Sequence, residues 1–299
     1  MPTPPRDENA TKRIAIGCQG SGALTAFGAG ALKRLLREEQ HDIIGLSGTS
    51  GGAICALLTW YALLENDKEQ AISKSAELLD SFWRDLSASE LYARFLNDWA
   101  VLASRLQGNV AIFEVSPYYT QLSRWAREQL RKILGRQPVD FENLWEQVDS
   151  SGPVLLVSAI DVATGSARTF DSRNGEISTN ILLASAAVPP LFRAMDIEGG
   201  AYWDALFCQN SPVRELARMQ PDELWIIRVI PWSRGGEPKA IAEMMDRRNE
   251  LSGNLAIPRP LPYREDKRTG RCVRRERKRK GQNASPSWRG RQRVQAHRG

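Results

Sequence analysis

Histidine is nearly absent: 299 residues contain two, His41 and His297, far apart in the chain. Metal-ligand spacing is absent, and with two distant histidines no zinc site, metal or cofactor is expected. Cysteine is also scarce. The four, Cys18, Cys55, Cys208 and Cys272, are widely spaced with no C-x-x-C, which reads as free thiols in a reducing compartment. The longest apolar stretch, Gly51 to Leu64, covers only about fourteen residues, against the roughly twenty that span a bilayer. It reads as a buried helix. The first ten residues have no apolar core and are not read as a secretory signal. The expected location is therefore cytoplasmic, with peripheral contact at membranes. There is no internal repeat.

What is present is a charge seam. The formal net charge of +6 averages two unlike parts. Residues 259–299 carry 15 Lys+Arg against 3 Asp+Glu, and the preceding 258 residues carry 26 against 32. The chain is an acidic body with a basic tail. Residues 1–12 read as an N-terminal arm and 13–258 as one catalytic domain. The tail, 259–299, has no apolar periodicity and reads as disordered. It is either an arm for anionic membrane surfaces or an out-of-frame extension in place of a C-terminal helix, and no specific nucleic-acid partner is expected.

Within the body, strand and helix signals alternate. Arg13–Gly17 is a short apolar strand, followed by a glycine-rich turn and a helix over Ala23–Leu36. His41–Ser47 is a second strand, followed by Gly48–Gly52 and a helix over Ala53–Leu64. This repetition predicts an α/β fold with a mainly parallel sheet flanked by helices. From 67 to 148 the pattern changes to a helical insertion. Leu78, Leu79 and Phe82, then Leu91, Phe95, Trp99 and Leu102, then Leu122, Trp125, Leu130 and Ile133 recur at helical spacing. Trp83, Trp99 and Trp125 fit ordinary helix cores better than an acyl channel or a membrane contact. Strands return at Pro153–Ile160 and Glu223–Ile230, both near-continuous apolar runs, and a last helix spans Ala240–Leu251.

Gly48-Thr49-Ser50-Gly51-Gly52 fits G-x-S-x-G, a weak pattern by itself. Its place between an apolar strand and a small-residue helix is the setting of a nucleophile elbow, where Gly48 and Gly52 permit the strained turn that exposes Ser50 Oγ. His41 begins the strand that leads to Ser50, so about six extended residues separate them by roughly 20 Å. It reads as a surface loop residue. His297 lies in the tail. A Ser–His–Asp triad is thereby excluded, and a carboxylate has to act as base, which requires a partly desolvated position beside the hydroxyl.

The chain resembles the patatin-like phospholipases, lipid acyl hydrolases with a Ser–Asp dyad. Four segments carry the resemblance, in order: Gly20-Ser21-Gly22, the elbow, Ala184–Phe192, and Tyr202–Val213. It implies a three-layer α/β fold, Ser50 as nucleophile, and Asp204, at the head of the segment matching the family's D-G-[GA], as base. It further implies an oxyanion hole from the backbone N–H groups of Gly20, Ser21 and Gly22, and a carboxylic ester hydrolase acting on phospholipid, lysophospholipid or acylglycerol through an acyl-enzyme. The family's loop pattern is G-G-G-x-[KR]-G. This chain departs from it at Ser21, Leu24 and Thr25, and Ala205 stands where D-G-[GA] has glycine. A positive φ at Ser21 or Ala205 would store about 1 kcal/mol or more at each.

A dinucleotide fingerprint beginning at Gly20 fails in register because Thr25 occupies the last glycine position, and no P-loop is present. Asp161 and Asp171 are expected to structure loops. Two alternatives to a hydrolase stay open: a patatin-fold protein of weak activity that binds acyl lipids, and a basic-tailed binder of anionic surfaces or nucleic acid.

Overall fold

The computed structural model describes residues 11–38, 41–87, 117–141, 152–189, 192–231, 233, 235–238, 241–254, 263–266 and 271–274. Two compact units divide the chain, Met1–Ile257 and Pro258–Gly299. In the second unit, β8 (Tyr263–Asp266) pairs antiparallel with β9 (Arg271–Arg274). These two four-residue strands lie within the segment read as disordered.

The first unit is built on a mixed sheet of seven strands. β1 (Lys12–Cys18), β2 (His41–Gly48), β3 (Val154–Asp161) and β7 (Glu223–Ile227) run parallel, with β1 between β2 and β7, and β2 between β1 and β3. The apolar runs of β1 and β3 follow from burial on both faces. In β1, Ile14, Ile16 and Cys18 enter one core cluster, while Ala15 enters a second on the opposite face. β3 divides likewise: Leu155, Val157 and Ala159 face the first cluster, Val154 and Leu156 the second.

The main cluster lies under the helices. α1 (Thr25–Leu35) follows β1, and α2 (Gly51–Glu65) follows β2. Every residue of α2 from Gly52 to Ala62 is buried, as expected for a helix that is apolar all round. It packs on the sheet below and on α3 (Lys68–Leu86) above. α3 begins with Asp67, whose carboxylate accepts the Gln70 N–H, and buries Ala71, Ser75, Leu78, Leu79 and Phe82 along one stripe. α4 (Pro117–Gly135) contributes Ile133 and Leu134 to the core. The expected helix around Leu91, Phe95, Trp99 and Leu102 lies outside the described residues. Leu216 of α5 (Val213–Arg218) packs in the second cluster, on the other face of the sheet.

Three short strands are absent from the sequence reading. β4 (Ala167–Asp171) pairs antiparallel with β3, as does β6 (Gly200–Asp204), which in turn pairs with β5 (Met195–Ile197). The β5–β6 hairpin turns at Glu198 and Gly199, both at positive φ (55° and 80°), as a two-residue type I′ loop requires. His41 is the first residue of β2, as the sequence predicts, but it is half-buried rather than a surface loop residue: its ring meets Trp225 of β7 edge-on, with centroids 4.7 Å apart.

Candidate active site

The parallel strands β1 and β2 end in two turns that meet. β2 ends at Gly48, and α2 starts at Gly51, which leaves Ser50 at the helix N-terminus with φ 56° and ψ −133°. Such a conformation costs a non-glycine residue about 1–3 kcal/mol. The surroundings over-determine it. Ser50 N–H donates to Ser185 Oγ (2.9 Å), which donates onward to Ser158 O (2.7 Å). Gly52 N–H donates to Thr49 O (2.9 Å), and Ala53 N–H to Ser50 O (2.9 Å). A Cβ on Gly52 would fall 2.4 Å from Cys18 O, and one on Gly48 would fall 2.4 Å from Gly52 C. The two glycines read from the motif are therefore steric requirements of the turn.

Asp204 reaches the elbow through strand pairing. Along β3, Gly48 of β2 pairs with Val157, and Asp204 of β6 pairs with Ala159. β4 occupies the other edge of β3 over Leu156–Ile160, so β6 continues the lane that β2 vacates. Asp204 thus stands two residues, roughly 7 Å, beyond the end of β2. The Asp204 N–H donates to Ala187 O (3.0 Å), and its Oδ1 accepts the Leu206 N–H (2.8 Å). Ser50 is 5% exposed and Asp204 1%. Burial pushes the Asp204 carboxyl up to about 7, against the lowering effects of the neighbouring Ser50 hydroxyl and Leu206 N–H. Oδ2 is buried and lacks a well-formed hydrogen bond. The serine hydroxyl thus acts on the carboxylate without full alignment, as is common before substrate binds.

The glycine-rich loop packs directly on the elbow. A Cβ on Gly20 would lie 2.2 Å from Thr49 O and 2.8 Å from Ser50 Cβ, so only glycine fits. Two of the three expected oxyanion donors are nevertheless turned inward. Gly20 N–H donates to Asn210 Oδ1 (2.7 Å), and Ser21 N–H to Thr25 Oγ1 (3.1 Å). Gly22 differs: it takes φ +52°, is exposed, and its N–H has no partner among the described residues. The same holds for the Gly51 N–H at the start of α2. Of the three amides expected to face an oxyanion, those of Gly20 and Ser21 thus donate to buried side chains, and that of Gly22 does not. The strain that a positive φ would store at Ser21 or Ala205 does not arise. Ser21 lies at φ −168°, extended backbone open to any residue, and Ala205 is not among the positive-φ residues.

A polar lattice joins these parts, and the sequence reading assigned none of it a role. Thr49 Oγ1 accepts the Ser211 N–H (2.8 Å) and donates to Gln209 O (2.9 Å), while Ser47 and Ser211 share a hydroxyl contact of 2.7 Å. Gln19 Oε1 accepts the N–H groups of Val229 and Ile230 (3.1 and 3.0 Å). Asn210 and Ser185 fall inside the quoted segments Tyr202–Val213 and Ala184–Phe192, which was the available signal.

The remaining candidates lie elsewhere. His41 lines a cleft of about 180 Å³ with Trp225 and Lys68, at the end of β2 opposite Ser50. Asp161 accepts N–H donors from Ala163 and Thr164, and Asp171 caps a short 3-10 turn and pairs with Arg173. Both carboxylates structure loops. Cys18, Cys55 and Cys208 are free, and burial pushes the Cys55 thiol up to about 12, away from reactivity. Among the described residues, no His, Cys, Asp or Glu cluster could hold a metal ion, and no helix is long and apolar enough to cross a membrane.

The elbow serine thus stands beside a buried carboxylate on a mixed sheet flanked by helices. The chain belongs to the patatin-like phospholipase family, whose profile matches residues 18–217. It is similar to the crystal structure of VipD from Legionella pneumophila, at 15% identity and a TM-score of 0.35, over 64% of this chain and 45% of VipD. It is also similar to the ExoU–SpcU complex from the type III secretion system of Pseudomonas aeruginosa, at 14% identity and a TM-score of 0.30, over 81% of this chain and 50% of that one. The chain thus spans about half the length of the solved structures it matches. No curated protein matches it.

Proposed function

We propose that this chain is a lipid acyl hydrolase in which Ser50 is the nucleophile and Asp204 the general base. Ser50 Oγ attacks the carbonyl carbon of a fatty-acyl ester while its proton passes to Asp204 Oδ2. The tetrahedral oxyanion lies against the N–H groups of Gly22 and Gly51, at the positive end of α2. Collapse returns the proton to the leaving alcohol or lysolipid. Water then gives a proton to Asp204, attacks the acyl-enzyme, and releases the fatty acid and Ser50. One carboxyl group serves both steps because a proton affinity near 7 lets it take and return a proton around neutral pH.

The observation that carries this reading is the strained Ser50 turn set beside a buried carboxylate whose Oδ2 is left without a strong partner. Hydrolysis of a short-chain nitrophenyl ester is the direct test. Wild type is expected to hydrolyse it and Ser50→Ala to lose the activity; equal rates would refute the assignment. A second reading, an acyl-lipid binder of weak activity, is favoured by the capture of the Gly20 and Ser21 amides. It predicts acyl-lipid binding by wild type with hydrolysis no faster than Ser50→Ala.

A further inference from the structure

The Gly20–Gly22 loop has no regular secondary structure until Gly22, yet a buried side chain holds each of its first two residues. Asn210, fully buried, clamps Gly20 from both sides: its Oδ1 accepts the Gly20 N–H (2.7 Å), and its Nδ2 donates to Gly20 O (2.9 Å). This pairing copies the two hydrogen bonds of a strand partner and holds the two peptide groups that flank Gly20. Thr25, 1% exposed, accepts the Ser21 N–H at Oγ1. The same hydroxyl oxygen lies 2.9 Å from where a Cβ on Gly51 would stand, and Gly22 O lies 3.3 Å from that point. Thr25 therefore fills the space between the loop and the first residue of α2.

We propose that Asn210 and Thr25 are positioning residues that lock the first two loop peptides inward, so that Gly22 N–H alone of the three is turned toward the oxyanion beside Gly51 N–H. This rests on the hydrolase reading and specifies its electrophilic side. Three features support it together. The two locked amides cannot serve a substrate without breaking buried hydrogen bonds. The positive φ of Gly22 follows directly on the locked pair, where only glycine bears it without strain. The Ser21, Thr25 combination that departs from the family's loop pattern forms a bond of its own, since a glycine at 25 has no hydroxyl to accept the Ser21 N–H. Asn210 is itself anchored from the elbow side, because its neighbour Ser211 donates its N–H to Thr49 Oγ1 (2.8 Å). Nucleophile and electrophile are thus registered through one short segment, Gln209–Ser211.

The test is steady-state hydrolysis of a short-chain nitrophenyl ester and of its thionoester, with thermal unfolding measured alongside. Sulfur accepts hydrogen bonds poorly, so an intact oxyanion site favours the oxygen ester. Thr25→Val keeps the shape and removes the acceptor. It is expected to lower kcat for the ester about 10-fold, with KM within about twofold and a smaller loss on the thionoester. Thr25→Ser, which restores the hydroxyl, is expected to restore the rate. Asn210→Ala is expected to lower kcat about 10²-fold. If both Thr25→Val and Thr25→Ser retain wild-type kcat and ester preference, or both lose ester and thionoester hydrolysis equally, the positioning role is wrong even if Asn210→Ala fails to fold. A wild type that neither hydrolyses the ester nor reacts with a fluorophosphonate sinks the hydrolase reading and this assignment together. An active wild type with unaffected variants sinks the assignment alone.

Discussion

At Gly48–Gly52 the chain is held by the side chains it lacks, whereas at Gly20–Gly22 it is held largely by side chains from elsewhere. The elbow turns because Gly48 and Gly52 admit backbone to within 2.4 Å of where a Cβ would be. The loop keeps one such glycine, Gly20, and otherwise depends on Asn210 and Thr25. Steric exclusion fixes the strand–turn–helix conformation that presents the nucleophile. Directed hydrogen bonds leave more latitude, so the loop tolerates Ser21, Leu24 and Thr25 in place of the family's residues. A sequence pattern records the first kind of constraint well and the second poorly.

Breaking the elbow should have the largest effect. Gly52→Ala drives a methyl group against Cys18 O, which is backbone and cannot swing aside. It is expected to cost several kcal/mol, on the scale of severe overpacking, seen as loss of soluble folded protein or a steep fall in Tm. A Gly52→Ala chain that unfolds at the wild-type temperature would show that the close approach is not required.

Asp204→Asn comes next and separates chemistry from stability. Hydrolysis should fall by at least about 10³-fold, within the range a lost base and its charge can account for. The stability effect has the opposite sign. The folded carboxyl titrates at about 7 and the unfolded one near 4, so the fold retains a proton that the unfolded chain has released. Stability therefore falls as pH rises from about 4 to about 7, and the loss is complete above that window. Asparagine removes this penalty. The Tm gain over wild type should be clear at pH 8 and small at pH 4, measured by calorimetry at both. A gain independent of pH would show that the buried carboxyl is not perturbed.

Ser185→Ala probes the link between the two sides more gently. It removes the acceptor of the Ser50 N–H and a donor to Ser158 O. An unsatisfied buried amide costs about 1–3 kcal/mol, so a Tm fall and a loss of about 10-fold in kcat are expected, with the Ser50→Ala background showing only the Tm fall. The smallest effect should come from Ser21→Gly. Ser21 is extended at φ −168° and bonds Thr25 through its backbone, so kcat should stay within about twofold. A large gain on restoring this family glycine would place strain where the structure has none.

Much of this was legible in residue order. The strands at 13–17, 41–47 and 153–160 stand out as apolar runs, and all recur within a residue or two as β1, β2 and β3. Ser50 was readable because an elbow constrains five consecutive residues. Asp204 needed the family resemblance, since its strand is five residues long and its position comes from pairing with Ala159, forty-five residues earlier. The inward turn of the Gly20 and Ser21 amides was not readable. It depends on Asn210, 190 positions away, and on a threonine whose hydroxyl carries no pattern of its own. The half-burial of His41 was not readable for the same reason, because its ring partner Trp225 is remote in sequence.

The most direct test of the Ser50–Asp204 pairing is the rate of fluorophosphonate labelling between pH 5 and 9. Wild type should label at Ser50 with a rate that rises through about pH 7, as Asp204 loses its proton. Ser50→Ala should not label, and Asp204→Asn should label slowly with no inflection near 7. Labelling of Ser50→Ala at the wild-type rate, or an inflection near 7 that persists in Asp204→Asn, would contradict the pairing.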